Sequence, residues 1–109
     1  MALIEDVVGR YVNLDVDGVD YRVYYEEAGS GIPLVCQHTA GSDGRQWRHI
    51  LADPEITQHY RVIAWDLPFH GKSIPPDGEE WWSEEYKLRG HWFMKFVLEI
   101  CGALEAENP

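Results

Sequence analysis

Arg61-Val62-Ile63-Ala64-Trp65-Asp66-Leu67-Pro68-Phe69-His70-Gly71-Lys72-Ser73 is the stretch on which the reading of this chain turns. Val62 to Trp65 is apolar at every position, the pattern of a strand buried on both faces rather than one. Asp66 ends the run abruptly. Leu67 to Gly78 then reads as a loop rich in Pro and Gly. Arg61 to Trp65 thus reads as a buried strand that ends at Asp66 and opens into a loop.

Working outward, a second continuous apolar run, Ile32 to Gln37, leads into a Gly-containing loop from His38 to Gly44. Arg45 to Ala52 follows with Trp47, Ile50 and Leu51 on one helical face. Ahead of these, Tyr11 to Asp17 and Val19 to Ala28 alternate apolar and polar residues, as half-exposed antiparallel strands do. Gly18, next to Asp17, reads as their tight turn. After the central loop, Ser83 is an N-cap, and Glu84 and Glu85 suit the positive end of a helix dipole. That helix is expected to run to about Glu105, with Phe93, Phe96, Val97, Ile100 and Leu104 along its core-facing stripe. The order β-β-β-α-β-loop-α describes an antiparallel hairpin leading into a mainly parallel α/β sheet with flanking helices. Residues 1–109 read as one portion of a domain. It stops on Glu107-Asn108-Pro109, after a helix and where the next buried strand is due. The remainder is expected in a separate or missing chain.

Composition narrows the function classes. Nine Lys and Arg against nineteen Asp and Glu give a net charge of −10, which speaks against nucleic acid and against an anionic membrane surface as partners. No apolar run approaches the ~18 residues of a membrane span. The start, Met1-Ala2-Leu3-Ile4-Glu5-Asp6, has neither a basic nor an apolar leader region, so a cytoplasmic protein is expected. Cys36 and Cys101 lack the spacing of a zinc site or disulfide framework and read as buried thiols. His49, His59 and His91 form no ligand cluster, and neither a metal nor a cofactor is expected.

The loops carry a resemblance. Ile32-Pro33-Leu34-Val35-Cys36-Gln37-His38-Thr39-Ala40-Gly41 resembles the third strand and following loop of the α/β-hydrolase fold. Arg61 to Ser73 resembles that family's fourth strand and its D-x-P-G-H-G-x-S loop, and Gly29-Ser30-Gly31-Ile32-Pro33 its G-x-G-x-P lead-in. Trp47 sits where the family often opens its first helix with Trp. Residues 11–109 take part. Two positions depart from the pattern: Thr39 replaces a glycine and lengthens a polar loop, and Phe69 replaces a glycine and is expected to narrow one wall.

The resemblance implies the N-terminal segment of a serine-type hydrolase acting on an ester, lactone or similar acyl substrate. Family enzymes carry nucleophile, acid and His beyond this segment, the nucleophile on a G-x-S-x-G elbow. None of the three is expected here. Ser42, in Ala40-Gly41-Ser42-Asp43-Gly44, comes nearest to an elbow but lies on the loop that forms half of the family's oxyanion hole. By the same alignment, the backbone N–H of Ala40 is the expected oxyanion donor. His38 reads as a loop-fixing hydrogen bonder rather than a general base. Asp66 and His70 read as braces of the second loop rather than a metal pair or dyad. Thr39 and Phe69 complete the expected pocket wall. Trp81, Trp82 and Trp92 read as core or interface before substrate pocket. The expected partner is the C-terminal remainder of the fold, pairing beside Leu34–Gln37, with a homodimer through that edge as the fallback. Without it, Phe93, Phe96 and Ile100 are expected to be partly wet. The alternative is a non-catalytic, hydrolase-like binding or interaction module.

Overall fold

Asp17 and Gly18 both adopt positive φ, 54° and 78°, so the chain reverses in a two-residue turn of the kind that matches the twist of a hairpin. Asp15 Oδ1 accepts the Gly18 N–H at 3.0 Å and locks it. A computed structural model describes residues 2, 4–39, 42–68, 70–73 and 90–105; of Gly90 and His91 it describes the backbone alone. The turn joins β1 (Val8–Val16) to β2 (Val19–Ala28) in an antiparallel pair with Leu14 opposite Tyr21. β3 is Ile32–Gln37. A 3₁₀ turn at Gly44–Trp47 leads into α1 (Arg48–Leu51), followed by α2 (Pro54–Thr57), β4 (Tyr60–Trp65) and α3 (Gly90–Ala103).

The four strands form one sheet in the order β1-β2-β4-β3. β4 pairs antiparallel with the end of β2, Tyr25 opposite Trp65. It pairs parallel with β3, Leu34 opposite Val62 and Gln37 opposite Trp65. A parallel pair requires a crossover, and the 3₁₀ turn with α1 and α2 supplies it. The expected hairpin and α/β sheet are present, but among the described residues the sheet is mixed rather than mainly parallel, with two antiparallel pairs and one parallel pair.

Each face of the sheet has its own core. On one, α3 lays Phe96, Ile100 and Leu104 over Leu14, Val16, Tyr21, Val23, Tyr25, Ile63 and Trp65. On the other, Leu51 packs on Ala28, Cys36, Val62 and Ala64, with Trp47, Ile50 and Ile56 around it. β4 lies between both, and Val62 to Trp65 are all buried. Arg61 ties the layers together. Its guanidinium donates to Glu27 Oε2 at 2.8 and 3.0 Å and to the Leu104 carbonyl at 2.6 Å, so a cation meets the negative end of α3.

Two expectations are corrected, and one element is added to the reading. β3 is not buried on both faces: Ile32 is 59% and Leu34 36% exposed, and within the strand Cys36 alone is buried. The reason is position, since β3 has a neighbouring strand on one side only among the described residues. Phe96 and Ile100 are not wet but 0% and 1% exposed. The hairpin reaches under α3 and covers them. Phe96 stacks on Trp65 at 5.3 Å between centroids and meets the Tyr21 ring edge at 5.5 Å. Burial of such a side chain is worth about 1.5–3 kcal/mol. Phe93 is half-buried against the same cluster. Third, α2 was not read from the sequence, although its signals are local: Asp53 accepts the Glu55 N–H at 3.0 Å and Pro54 takes the first turn. The Ser83 cap lies outside the described residues. The chain leaves the helical conformation at Glu105, where φ is 55°.

Candidate functional site

β3 and β4 run parallel and end level, so His38 and Asp66 emerge side by side from their carboxyl ends. In open α/β sheets this is where ligands bind. His38 is 2% exposed, and both its ring nitrogens are used. Nε2 accepts the Leu67 N–H at 3.0 Å. An acceptor nitrogen carries no proton, so Nδ1 carries it and donates to the Thr39 carbonyl at 2.8 Å. The ring is therefore held as one neutral tautomer, spanning from the loop after β3 to the loop after β4. The His70 ring lies 5.1 Å from it between centroids, with Nδ1 3.0 Å from the Pro68 carbonyl.

Asp66 is 4% exposed, and its carboxylate collects backbone donors from two loops. Oδ1 accepts the Gly44 N–H at 2.6 Å and Oδ2 the Lys72 N–H at 2.8 Å. The approach needs glycine at Gly71, where φ is 50° and a Cβ would stand 2.3 Å from Oδ2. The Asp66 carbonyl accepts the Ser73 hydroxyl at 2.6 Å, and Ser73 Oγ accepts the Tyr24 N–H at 3.1 Å. Ser73 is thus spent on the loop.

Thr39 is held from both ends. Its N–H and Oγ1 donate to Gln46 Oε1 at 2.9 and 3.2 Å. Its carbonyl accepts from His38 Nδ1 and, at 3.1 Å, from the Ser42 N–H. The structure therefore brings His38, Thr39, Asp66 and His70 together. Ala40 and Phe69 lie outside the described residues, as do Trp81 and Trp82. Trp92 is in the core, 5.1 Å from Phe96. The sequence reading missed Gln46, whose partner lies seven positions back across the Asp43–Gly44 turn. The one local signal for that turn was Asp43 itself, a capping residue before Gly44.

Asp43 caps the 3₁₀ turn through the Arg45 N–H at 2.9 Å and holds the Arg45 guanidinium at 2.7 Å. That side-chain pairing lowers its carboxyl from 3.8 to about 2. The sign follows: stability from this turn is fully present above pH 3.8 and is lost as pH falls through about 2. Circular dichroism of Trp47 and neighbouring aromatics under acid titration should show a transition in that window that is absent in Asp43→Asn.

Beside this turn a surface pocket of about 330 Å³ is lined by Tyr24, Glu26, Gly44, Arg45, Asp66 and Lys72 among others, so the Asp66 carboxylate borders it while His38 and Thr39 do not. Burial and the Glu26 carboxylate, 2.9 Å from its hydroxyl, push the Tyr24 phenol up to about 12, so it remains a donor. Burial also raises the Cys36 and Cys101 thiols. Among the described residues, no three His, Cys, Asp or Glu side chains are grouped to hold a metal, and no helix is long and apolar enough to cross a membrane.

No protein-family model matches the chain. It is 37% identical over 92 residues to a 2-hydroxy-6-oxo-6-(2'-aminophenyl)hexa-2,4-dienoic acid hydrolase of Metapseudomonas resinovorans, covering 81% of this chain and 29% of that protein. It is 32% identical over 96 residues to a haloalkane dehalogenase of Agrobacterium fabrum, covering 82% and 31%. A crystal structure of a haloalkane dehalogenase from Agrobacterium tumefaciens superposes with a TM-score of 0.64 at 28% identity, over 92% of this chain and 30% of that one. An epoxide hydrolase from Vigna radiata superposes with a TM-score of 0.69 over 95% and 30%, its 19% identity bearing on the fold alone. The chain spans under a third of the length of each. With the hairpin, the parallel β3–β4 pair and the two braced loops in place, this chain belongs to the α/β-hydrolase fold and carries its N-terminal part.

Proposed function

We propose that this chain supplies the opening strands and the oxyanion loop of a hydrolase that acts on an acyl substrate, the nucleophile, acid and base coming from the remainder of the fold. The observation that carries the reading is the His38–Thr39 turn. It stands at the carboxyl end of β3, braced from both sides, where the family places the loop that donates one oxyanion N–H. The Ala40 amide is the proposed donor. His38 and Asp66 act as braces in this reading, their hydrogen bonds being to backbone groups. The remainder pairs along the free edge of β3 from Leu34 to Gln37. The Metapseudomonas relative acts, by its name, on an oxo acid, and a carbonyl oxygen is what an oxyanion donor serves.

The test is turnover by the 109-residue chain alone and by the chain assembled with the C-terminal remainder of its fold, on p-nitrophenyl acetate, an oxo-dienoic acid and a haloalkane. The account expects no turnover by the chain alone and hydrolysis of a carbonyl substrate by the assembly. Turnover of the haloalkane alone would favour the chemistry named for the Agrobacterium relative. A burst of acylation by the isolated chain that vanishes in Ser42→Ala would make Ser42 the nucleophile. An inactive assembly that binds a ligand would favour a non-catalytic module.

A further inference from the structure

We propose that Gln46 is a positioning residue for the oxyanion loop, a role that rests on the hydrolase reading above. The hydrogen bonds around the site form a closed circuit. Asp66 Oδ1 holds Gly44, and Gly44 opens the 3₁₀ turn that carries Gln46. Gln46 Oε1 holds the Thr39 N–H, and the Thr39 carbonyl is held by His38 Nδ1. His38 Nε2 then accepts from Leu67, the residue after Asp66. Every other side chain in the circuit is buried; Gln46 and Thr39 are exposed. Among the described residues, the solvent-facing side chain that ties the 3₁₀ turn back to Thr39 is therefore Gln46, through its amide oxygen.

The chemistry fixes which end of that amide is used. The Thr39 N–H can only donate, so it must meet Oε1 and not the NH₂. The hydroxyl of Thr39 donates to the same oxygen, which a glycine at this position could not do. The consequence reaches the reacting end through the peptide plane. A trans peptide carries its N–H antiparallel to its C=O, so in this proposal the hold on the Thr39 carbonyl aims the N–H of the same peptide. A donor aimed in advance needs no reorganisation when charge develops.

The test uses the assembled protein with Gln46→Leu, Gln46→Glu and Thr39→Val. Gln46→Glu keeps an acceptor oxygen for both donors and should keep the wild-type rate of amide exchange at Thr39. Gln46→Leu should speed amide exchange at Thr39 and lower kcat about tenfold at unchanged KM, less than the 10²–10³ of a lost donor. Thr39→Val, which removes the hydroxyl and keeps the N–H, should fall between. Equal exchange at residue 39 in wild type and Gln46→Leu would overturn the clamp. Faster exchange with unchanged kcat would overturn the positioning role. An assembly with no turnover even as wild type would instead count against the hydrolase reading, and the exchange comparison would still decide the clamp.

Discussion

Asp66→Ala should cost the assembled protein about 3–5 kcal/mol in chemical denaturation. The carboxylate is 4% exposed and is the acceptor for the Gly44 and Lys72 N–H groups. Its removal leaves two backbone donors without their charged acceptor, and bonds to a charged acceptor are worth about 1.5–3 kcal/mol each. Asp66→Asn should recover less than half, because one end of an amide presents N–H to N–H. Both variants should loosen the 3₁₀ turn and the 70–73 loop together, seen as faster exchange at Gly44 and Lys72. A loss below about 1 kcal/mol for the alanine variant would mean that these bonds are replaced by others and that Asp66 does not organise the site.

On the proposed reading, Ala40→Pro should lower kcat of the assembled protein by about 10²–10³, the cost of one oxyanion donor, because proline has no N–H to offer. Ala40→Gly keeps the N–H and should be mild. The comparison isolates the backbone group from the side chain. Equal kcat for the proline variant, in an assembly whose circular dichroism matches wild type, would remove this amide from the mechanism.

How far the sequence speaks differs between the fold and the site. The strands are legible because their signals are local: alternation in Tyr11 to Asp17 and Val19 to Ala28, continuous apolarity in Val62 to Trp65, and an Asp-Gly turn whose two positive φ values leave little choice. β3 misleads because a continuous apolar run reads as a strand covered on both faces, whereas among the described residues this one has a neighbour on one side only. The burial of Phe96 and Ile100 was hidden for a related reason. It depends on how far the hairpin extends beneath α3, which residue spacing does not encode. At the site, His38 and Asp66 stand out as polar residues that end apolar runs. The Gln46–Thr39 contact does not, since it forms only once the Asp43–Gly44 turn folds residue 46 back over residue 39. The Arg61 link to Glu27 and the end of α3 is likewise a product of three elements meeting.

The central claim is that this chain is the opening part of a hydrolase and completes its sheet along β3. Size-exclusion light scattering combined with amide exchange across Ile32–Gln37 tests it most directly, on the 109-residue chain alone and with the C-terminal remainder of the fold. The account predicts that the chain alone is associated or poorly cooperative, with exchange on the free side of β3 that is fast, and that the remainder binds one-to-one and slows it. A cooperative monomer with slow exchange at Val35 and Gln37, indifferent to the added remainder, would contradict the account and show a chain complete in itself.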